Sequence, residues 1–408
     1  VADLFELGAS GTRPAISVGG RHLDYADLRG LVDQARRGIA DRHTSVAPVA
    51  IDLAGLDVVD TLTTIFAAAA QEVPVLVRDP GAEIPSCPAL GSAAFLVAMT
   101  SGTSGRPRAV VRTAASWSAS FRPLTALTGL RHTDVVLLTG PLHSTLHLFA
   151  AVHTLWLGGH LTDEPSIATA AHLVPALLAD LLLDPPPCLR LAVVAGARLS
   201  PALERRATQL GLRLVEYYGA AEMSFVAARV APEPLRPFPG VQVRVTDGEL
   251  WARSPYLALA RIGNGPPLRR SFDGFVTVGD LAQIMPDGSI VVRGRGDSAV
   301  TTGGHTVLVE DVEAVLSGLP GVLEVAVIGI GHLRLGQVVT AVLVLADGVD
   351  LAQIRRRARS ALTGPSLPRR WRTVSALPRT AGGKIARGAL ATGATNQAES
   401  PEGTGSVP

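Results

Sequence analysis

Short β-rich runs alternate with longer helical stretches through the first half of the chain, and few architectures accommodate that alternation. Residues 14–30, PAISVGGRHLDYADLRG, read as a strand, a Gly-Gly turn, a second short strand and a helix opened by Asp24 or Asp27. Short β-rich runs at 46–53 and 73–78 surround the helical stretch DVVDTLTTIFAAAA. Residues 79–92 read as a loop, and AAFLVAM at 93–99 as a buried strand running directly into TSGTSGRPR. The alternation returns between 114 and 220. LRLAVVAGA (189–197) is a buried strand ending at small residues. SPALERRATQLG (200–211) is a helix with Ser200 as N-cap, Pro201 at the first helical position and Gly211 as stop. RLVEYYGAAE (213–222) is a strand leading into a loop.

The texture changes at 238–294, where GVQVRV, GELWAR, GFVTV and SIVVRG are split by Asp-Gly and Gly turns, the pattern of a β-rich subdomain. GRGDSAVTTGG (294–304) reads as a linker, followed by a small α+β unit. The expected organisation is a large N-terminal domain over 1–295, made of layered α/β subdomains plus the β-rich part. A small mobile α+β domain over 296–391 and a disordered tail over 392–408 complete it. No internal repeat is visible.

Composition narrows the function classes. The chain has 408 residues, a formal net charge of +2 and 47% hydrophobic residues, so it has ample apolar mass for a core. Near-neutral charge argues against a nucleic-acid partner. Cys87 and Cys188 cannot make a disulfide framework and suit a reducing cytoplasm. No apolar run reaches about 18 residues, so no membrane span is expected. The N-terminal VADLFELGAS lacks a basic region ahead of an apolar run and does not read as a signal peptide. Of the 37 cationic side chains, the only lysine is Lys384.

Four motifs carry chemistry. TSGTSGRPR (100–108) places glycines, hydroxyls and two arginines after a buried strand, a composition suited to cradling phosphates or to a plain flexible turn. It is not a Walker A loop. YYGAAE (217–222) offers an aromatic face and, in Glu222, a hard oxygen ligand; a strand end with a solvated Glu reads equally from the residues. Asp280 follows a strand at a Gly turn, with Arg295 fifteen residues on across a hairpin, and its carboxylate suits ribose hydroxyls or an ordinary turn. LPRTAGGKIARG (377–388) presents Lys384 on a Gly-Gly loop, as a functional or a solvated cation.

Taken together and in this order, these motifs resemble the adenylate-forming superfamily of acyl-CoA synthetases, nonribosomal-peptide adenylation domains and luciferase-like enzymes. TSGTSGRPR resembles its phosphate loop, YGAAE its Tyr-Gly-x-Thr-Glu motif, and GD followed by GRGD its ribose-binding and hinge pair. AGARLSPAL is similar to the segment bordering adenine, GGHTVLVEDVEAVL to the first motif of the C-terminal domain, and PRTAGGKIAR to the catalytic-lysine loop. The resemblance implies that Thr100, Ser101, Gly102, Thr103, Ser104 and Gly105 hold ATP phosphates. It implies that Gly196, Ala197 and Gly219 line the nucleotide and acyl sites and that Tyr218 stacks on adenine. Glu222 would ligate Mg²⁺, Asp280 with Arg295 would hold the ribose, Asp297 would be the hinge, and Lys384 would bridge carboxylate and α-phosphate. The implied cofactors are ATP, Mg²⁺ and CoA or the phosphopantetheine of a carrier protein. The implied reaction is formation of an acyl-AMP and then a thioester, with the Gly303–Gly304 loop entering for the second step. Transfer to a carrier protein or an amine, and a non-catalytic binding relative, are the alternatives. Ala221 stands where the family has Thr, Arg108 and Thr301 stand where it has Lys, and the stretch before residue 100 is short for the family.

The acyl pocket is expected between 141–156, 195–197 and Gly219–Ala220. His143 and His147, spaced i, i+4, would share a helix face, with His143 at the carboxylate; HSTLH lacks the Glu and third ligand of a zinc site. Leu, Phe and Trp here favour an apolar acid. Residues 351–390 hold ten cationic side chains and no acid, which is either a solvated basic face or an attraction for CoA phosphates or an acidic carrier protein. Nothing in the residues speaks to the oligomeric state.

Overall fold

The computed structural model describes residues 5–42, 50–83, 90–91, 93–100, 108–263, 267–295, 299–302, 305–380 and 382–392. The loop residues 101–107, Cys87, Asp297, Gly303, Gly304 and nearly all of the tail therefore lie outside the described residues. The chain divides into two compact units: Val1–Asp297 with Ala381–Lys384, and Ser298–Thr380 with Ile385–Pro408.

The first unit is α/β and contains three sheets among the described residues. The largest runs in the order Arg236–Pro237, Ser224–Val230, Arg213–Ala220, Leu191–Val194, Ala170–Leu173, Val135–Leu137, His160–Thr162, Pro14–Val18, Arg21–Asp24. Its six central strands are parallel, and antiparallel pairing is confined to the two ends. Parallel strands bury both faces, which is why LAVV is continuously apolar and AAHL, His172 included, is buried throughout instead of alternating. One face packs Ala171, Leu173, Val194 and Leu214 against Leu178, Leu199 and Ala207. The opposite face packs Val136, Ala170, Leu191, Val193 and Val215 with Leu130. A second sheet, Ala260–Gly263, Arg108–Arg112, Leu96–Thr100, Val75–Val77, Ile51–Asp52, supports the helix Val58–Ala70. That helix starts where expected, because Asp57 accepts a hydrogen bond from the Asp60 N–H. The third sheet holds Gln242–Thr246, Glu249–Arg253, Val276–Thr277, Asp280–Ile284 and Ile290–Arg295, joined by Arg269–Arg270 at its edge.

The second unit pairs Val322–His332 with Gly336–Leu345 over their whole length and packs the helices Val309–Ser317 and Leu351–Ala361 onto them. Val300–Thr302 and His305–Val307 form an antiparallel hairpin. This corrects the expectation of a linker over 294–304: Val and Thr here are β-branched residues that pair, and Thr302 also meets Gly336 of the long hairpin. LRLAVVAGA also contracts, to Leu191–Val194, because Gly196 takes a left-handed φ of 86° and turns the chain away. Among the described residues no helix is long and apolar enough to cross a membrane. Cys188 is an exposed free thiol.

Two glycines test the packing in opposite directions. A Cβ on Gly8 would lie 2.0 Å from the Trp156 carbonyl oxygen and 2.5 Å from the Gly158 nitrogen, both backbone atoms. Gly30, within the helix Tyr25–Arg42, has open space. Gly8→Ala is expected to lower stability by about 1–3 kcal/mol, and Gly30→Ala to raise it by about 0.5–1 kcal/mol. Chemical denaturation of the two variants beside the parent checks both signs.

Candidate functional site

The parallel strands of the large sheet end on one side at residues 195–199 and 218–222, where the chain leaves the sheet in loops. In such sheets the loops beyond the carboxyl ends of the strands hold ligands. The strand Arg213–Ala220 turns through Ala221–Met223 into Ser224–Val230, with a register shift at Tyr218/Gly219. Only glycine fits at 219: a Cβ there would lie 2.0 Å from the Ser224 carbonyl oxygen. That bulge sets the direction of Tyr218, whose hydroxyl donates to Asp280 Oδ2 at 2.5 Å. Asp280 is buried, opens its strand after Gly279 at φ 86°, and stands opposite Arg295 in register. The structure thus joins Tyr218 to Asp280 and places Arg295 on the neighbouring strand.

The 195–199 loop is held from behind. The Leu199 N–H donates to Glu216 Oε1 at 3.3 Å, and Arg229 bridges Glu216 and Glu204 at 2.5 Å each. Gly196 and Ala197 remain exposed. Lys384 groups with the same unit, and its Cε lies 3.2 Å, its Nζ 3.9 Å, from the point a Cβ on Gly196 would occupy. Gly383 adopts a φ of 77° and passes so close to Val174 that a Cβ would come within 2.9 Å of its Cγ2. Two glycines therefore bring the lone lysine to this loop.

Glu222 is 6% exposed, and its Oε1 accepts from Arg261 Nε at 3.0 Å and pairs with Nη2 at 2.9 Å. Arg112, 2% exposed, donates to the carbonyls of Ala221 (2.6 Å), Ser116 (3.3 Å) and Tyr256. Burial pushes the Arg112 guanidinium down to about 9, against the pull of the Glu222 charge. Neither arginine was among the candidates. The available signal for Arg112 was a charge closing the apolar run AVV; nothing local marks Arg261. Among the described residues no group of three or more His, Cys, Asp or Glu could hold a metal ion. A single carboxylate such as Glu222 suits Mg²⁺ carried on nucleotide phosphates, where water and phosphate oxygens fill the octahedron.

His143 and His147 do not share a helix face. Ser144 is the N-cap, so the helix spans Thr145–Leu157 and His143 precedes it in a turn. His143 Nε2 lies 3.6 Å from Asp79 Oδ2 and borders a cavity of about 340 Å³ with Arg21, Leu56, Arg78 and Leu142. None of the other candidate residues lines that cavity. His147 is buried, its ring filling the space a Cβ on Gly140 would need. His153 bonds Thr125 Oγ1 through Nε2 at 2.9 Å and sits among Phe121, Phe149 and Trp156. Of the phosphate-loop candidates, Thr100 ends the strand Leu96–Thr100 opposite Arg108; Ser101, Gly102, Thr103, Ser104 and Gly105 lie outside the described residues.

A family model described as AMP-binding enzyme matches residues 42–259, and one described as AMP-binding enzyme C-terminal domain matches 311–384. The chain is similar to 2-hydroxy-7-methoxy-5-methyl-1-naphthoate–CoA ligase of Streptomyces carzinostaticus, 30% identical over 76% of this chain and 64% of that protein. It is 27% identical to 2-succinylbenzoate–CoA ligase of Listeria monocytogenes over 73% of this chain and 70% of the relative. The chain spans about two thirds of the length of the curated relatives it matches. Its fold is similar to that of ATP-bound MatB from Rhodopseudomonas palustris, with a TM-score of 0.82 at 21% identity over 97% of this chain and 98% of the other.

Burial holds three imidazoles neutral: His147 and His153 are pushed down to about 4 and His172 to about 3. The unfolded chain, with histidines near about 6.5, binds more protons across the interval between. Stability is therefore full above that value and falls as pH drops through it. His172→Gln is expected to reduce the slope of unfolding free energy between pH 5 and 6 by up to about 1.4 kcal/mol per pH unit. Urea unfolding at stepped pH measures it; an unchanged slope contradicts the assignment.

Proposed function

We propose a function on one established premise: this chain belongs to the AMP-binding enzyme family, the adenylate-forming enzymes. Its reaction is the ATP-dependent activation of a small carboxylic acid to an acyl-AMP, followed by thioester formation with CoA. The observation that carries this reading is the Tyr218–Asp280 hydrogen bond. It sets a flat ring beside a carboxylate, the pair a nucleoside needs for its base and its ribose hydroxyls.

In the first step a substrate carboxylate oxygen attacks the α-phosphorus of ATP, the bond to pyrophosphate breaks, and acyl-AMP forms. The protein's share is positioning and charge. Tyr218 would stack on the base, with Gly196, Ala197 and Gly219 along the nucleotide, and Asp280 with Arg295 would hold the ribose. Thr100, Ser101, Gly102, Thr103, Ser104 and Gly105 would take the phosphates. Lys384, beside Gly196, would bridge the carboxylate and the α-phosphate. Glu222 would hold Mg²⁺, which when bound adds positive charge against the departing pyrophosphate. In the second step the CoA thiol attacks the acyl carbonyl, loses its proton, and AMP leaves. Asp297 would be the hinge between a large domain over 1–295 and a small one over 296–391. A cytoplasmic location fits an enzyme that draws on ATP and CoA.

An aromatic acid is the favoured substrate class. The support is the relatives named for aryl acids.

Pyrophosphate exchange that depends on an aryl acid is the expected result from a carboxylate panel; no exchange with any acid overturns the proposal. Thioester formation with free CoA, compared with a holo carrier protein, identifies the acceptor. Lys384→Ala is expected to lower adenylation at least about 10²-fold while leaving thioester formation from supplied acyl-AMP nearly intact. Equal loss in both steps would remove Lys384 from this role.

A further inference from the structure

We infer that Arg261 is a positioning residue for Glu222. It holds the carboxylate in place before nucleotide arrives and competes with the divalent cation for it. The inference rests on the nucleotide reading above and concerns a residue that none of the motifs contains.

The geometry begins with burial. Glu222 lies in the turn between the strands Arg213–Ala220 and Ser224–Val230, and its carbonyl accepts from the Ala258 N–H at 2.8 Å. The Glu222 and Arg261 side chains are 8% and 10% exposed. A carboxylate this far from water needs a counter-charge. Arg261 supplies one, and it is rigidly carried: the strand Ala260–Gly263 pairs antiparallel with Arg108–Arg112, with Arg261 opposite Val110. Both contacting nitrogens, Nε and Nη2, go to the same oxygen, Oε1. Arg112 adds positive charge near Glu222, but its hydrogen bonds go to the carbonyls of Ala221, Ser116 and Tyr256. Arg112 secures the turn, while Arg261 bonds the carboxylate itself.

A divalent ion at Glu222 would meet the Arg261 guanidinium across one carboxylate. Like charges so close, in a site of low dielectric, repel. The consequence is selectivity. A free cation gains little from displacing Arg261, whereas one carried on a triphosphate brings its own negative charge. Arg261 thereby reserves Glu222 for the metal–nucleotide complex.

The test reads binding, not turnover. Free Mn²⁺ is titrated into the full chain without nucleotide and followed by electron paramagnetic resonance, for the parent, Arg261→Lys and Arg261→Gln. Arg261→Gln is expected to bind Mn²⁺ about tenfold tighter than the parent, since one charge-assisted pair no longer opposes it. Arg261→Lys, which keeps the charge but loses the two-nitrogen fork, is expected to fall between, about threefold tighter. Mg²⁺ alone should raise the melting temperature of Arg261→Gln and leave that of the parent unchanged. Equal Mn²⁺ constants in all three proteins, or weaker binding in Arg261→Gln, would overturn the inference. If Arg261→Gln does not fold, Arg261→Lys decides: no tightening there overturns it. Because the readout needs no turnover, absent pyrophosphate exchange counts against the proposed function, and equal Mn²⁺ constants count against the role of Arg261.

Discussion

Arg112 is a guanidinium with almost no contact with water, bonded to carbonyls from three separate parts of the first unit. It leaves the strand Arg108–Arg112 and donates to Ala221, in the turn of the largest sheet, and to Tyr256, just beyond the strand Glu249–Arg253. A buried cation without partners would be expelled or neutralised; carbonyl oxygens from separate parts of the chain replace its hydration. The turn bearing Glu222 and the strand that leaves the glycine-rich loop are therefore fastened to one rigid group. Truncating Arg112 would leave those carbonyls unpaired in a site from which water is excluded.

The neighbouring features depend on that fastening. With the 221–223 turn held, the Gly219 bulge aims Tyr218 at Asp280, and a short hydrogen bond joins a strand of the largest sheet to one of the next largest. With Glu222 held, Arg261 can face it from the next strand. On the other side of the strand ends, Arg229, Glu204 and Glu216 support the loop beside which Lys384 rests. The candidate groups thus sit at strand ends and in adjoining loops braced by buried or half-buried ion pairs, which suits catalysis that works by positioning.

Much of this was legible before folding was considered. The helix beginning at Pro201 has its cap in Ser200, its first-turn proline and its stopping glycine within twelve consecutive residues, and all three act as read. The strand entering TSGTSGRPR, parallel to one neighbour and antiparallel to the other, is recognisable because a strand buried on both faces has to be apolar. Two of the readings that changed show the reason. His143 and His147 have helical spacing, but the N-cap falls between them, so one lies in a turn and the other in the core. VTT at 300–302 looked like linker because polar and glycine residues surround it; a partner strand makes it part of a sheet. In both cases the pattern was real and its meaning was set by a neighbour outside the window.

Local chemistry along the chain sets the alternation of strands and helices, the glycines that turn them, and the one lysine placed in a Gly-Gly loop. Those features act over a few residues, so spacing exposes them. The pairing of Arg112 with Ala221 spans 109 positions and that of Arg261 with Glu222 spans 39. No periodicity encodes such contacts. They arise when burial forces each charge to find oxygen or counter-charge among whatever the packed sheets bring within reach, and that choice belongs to the tertiary fold.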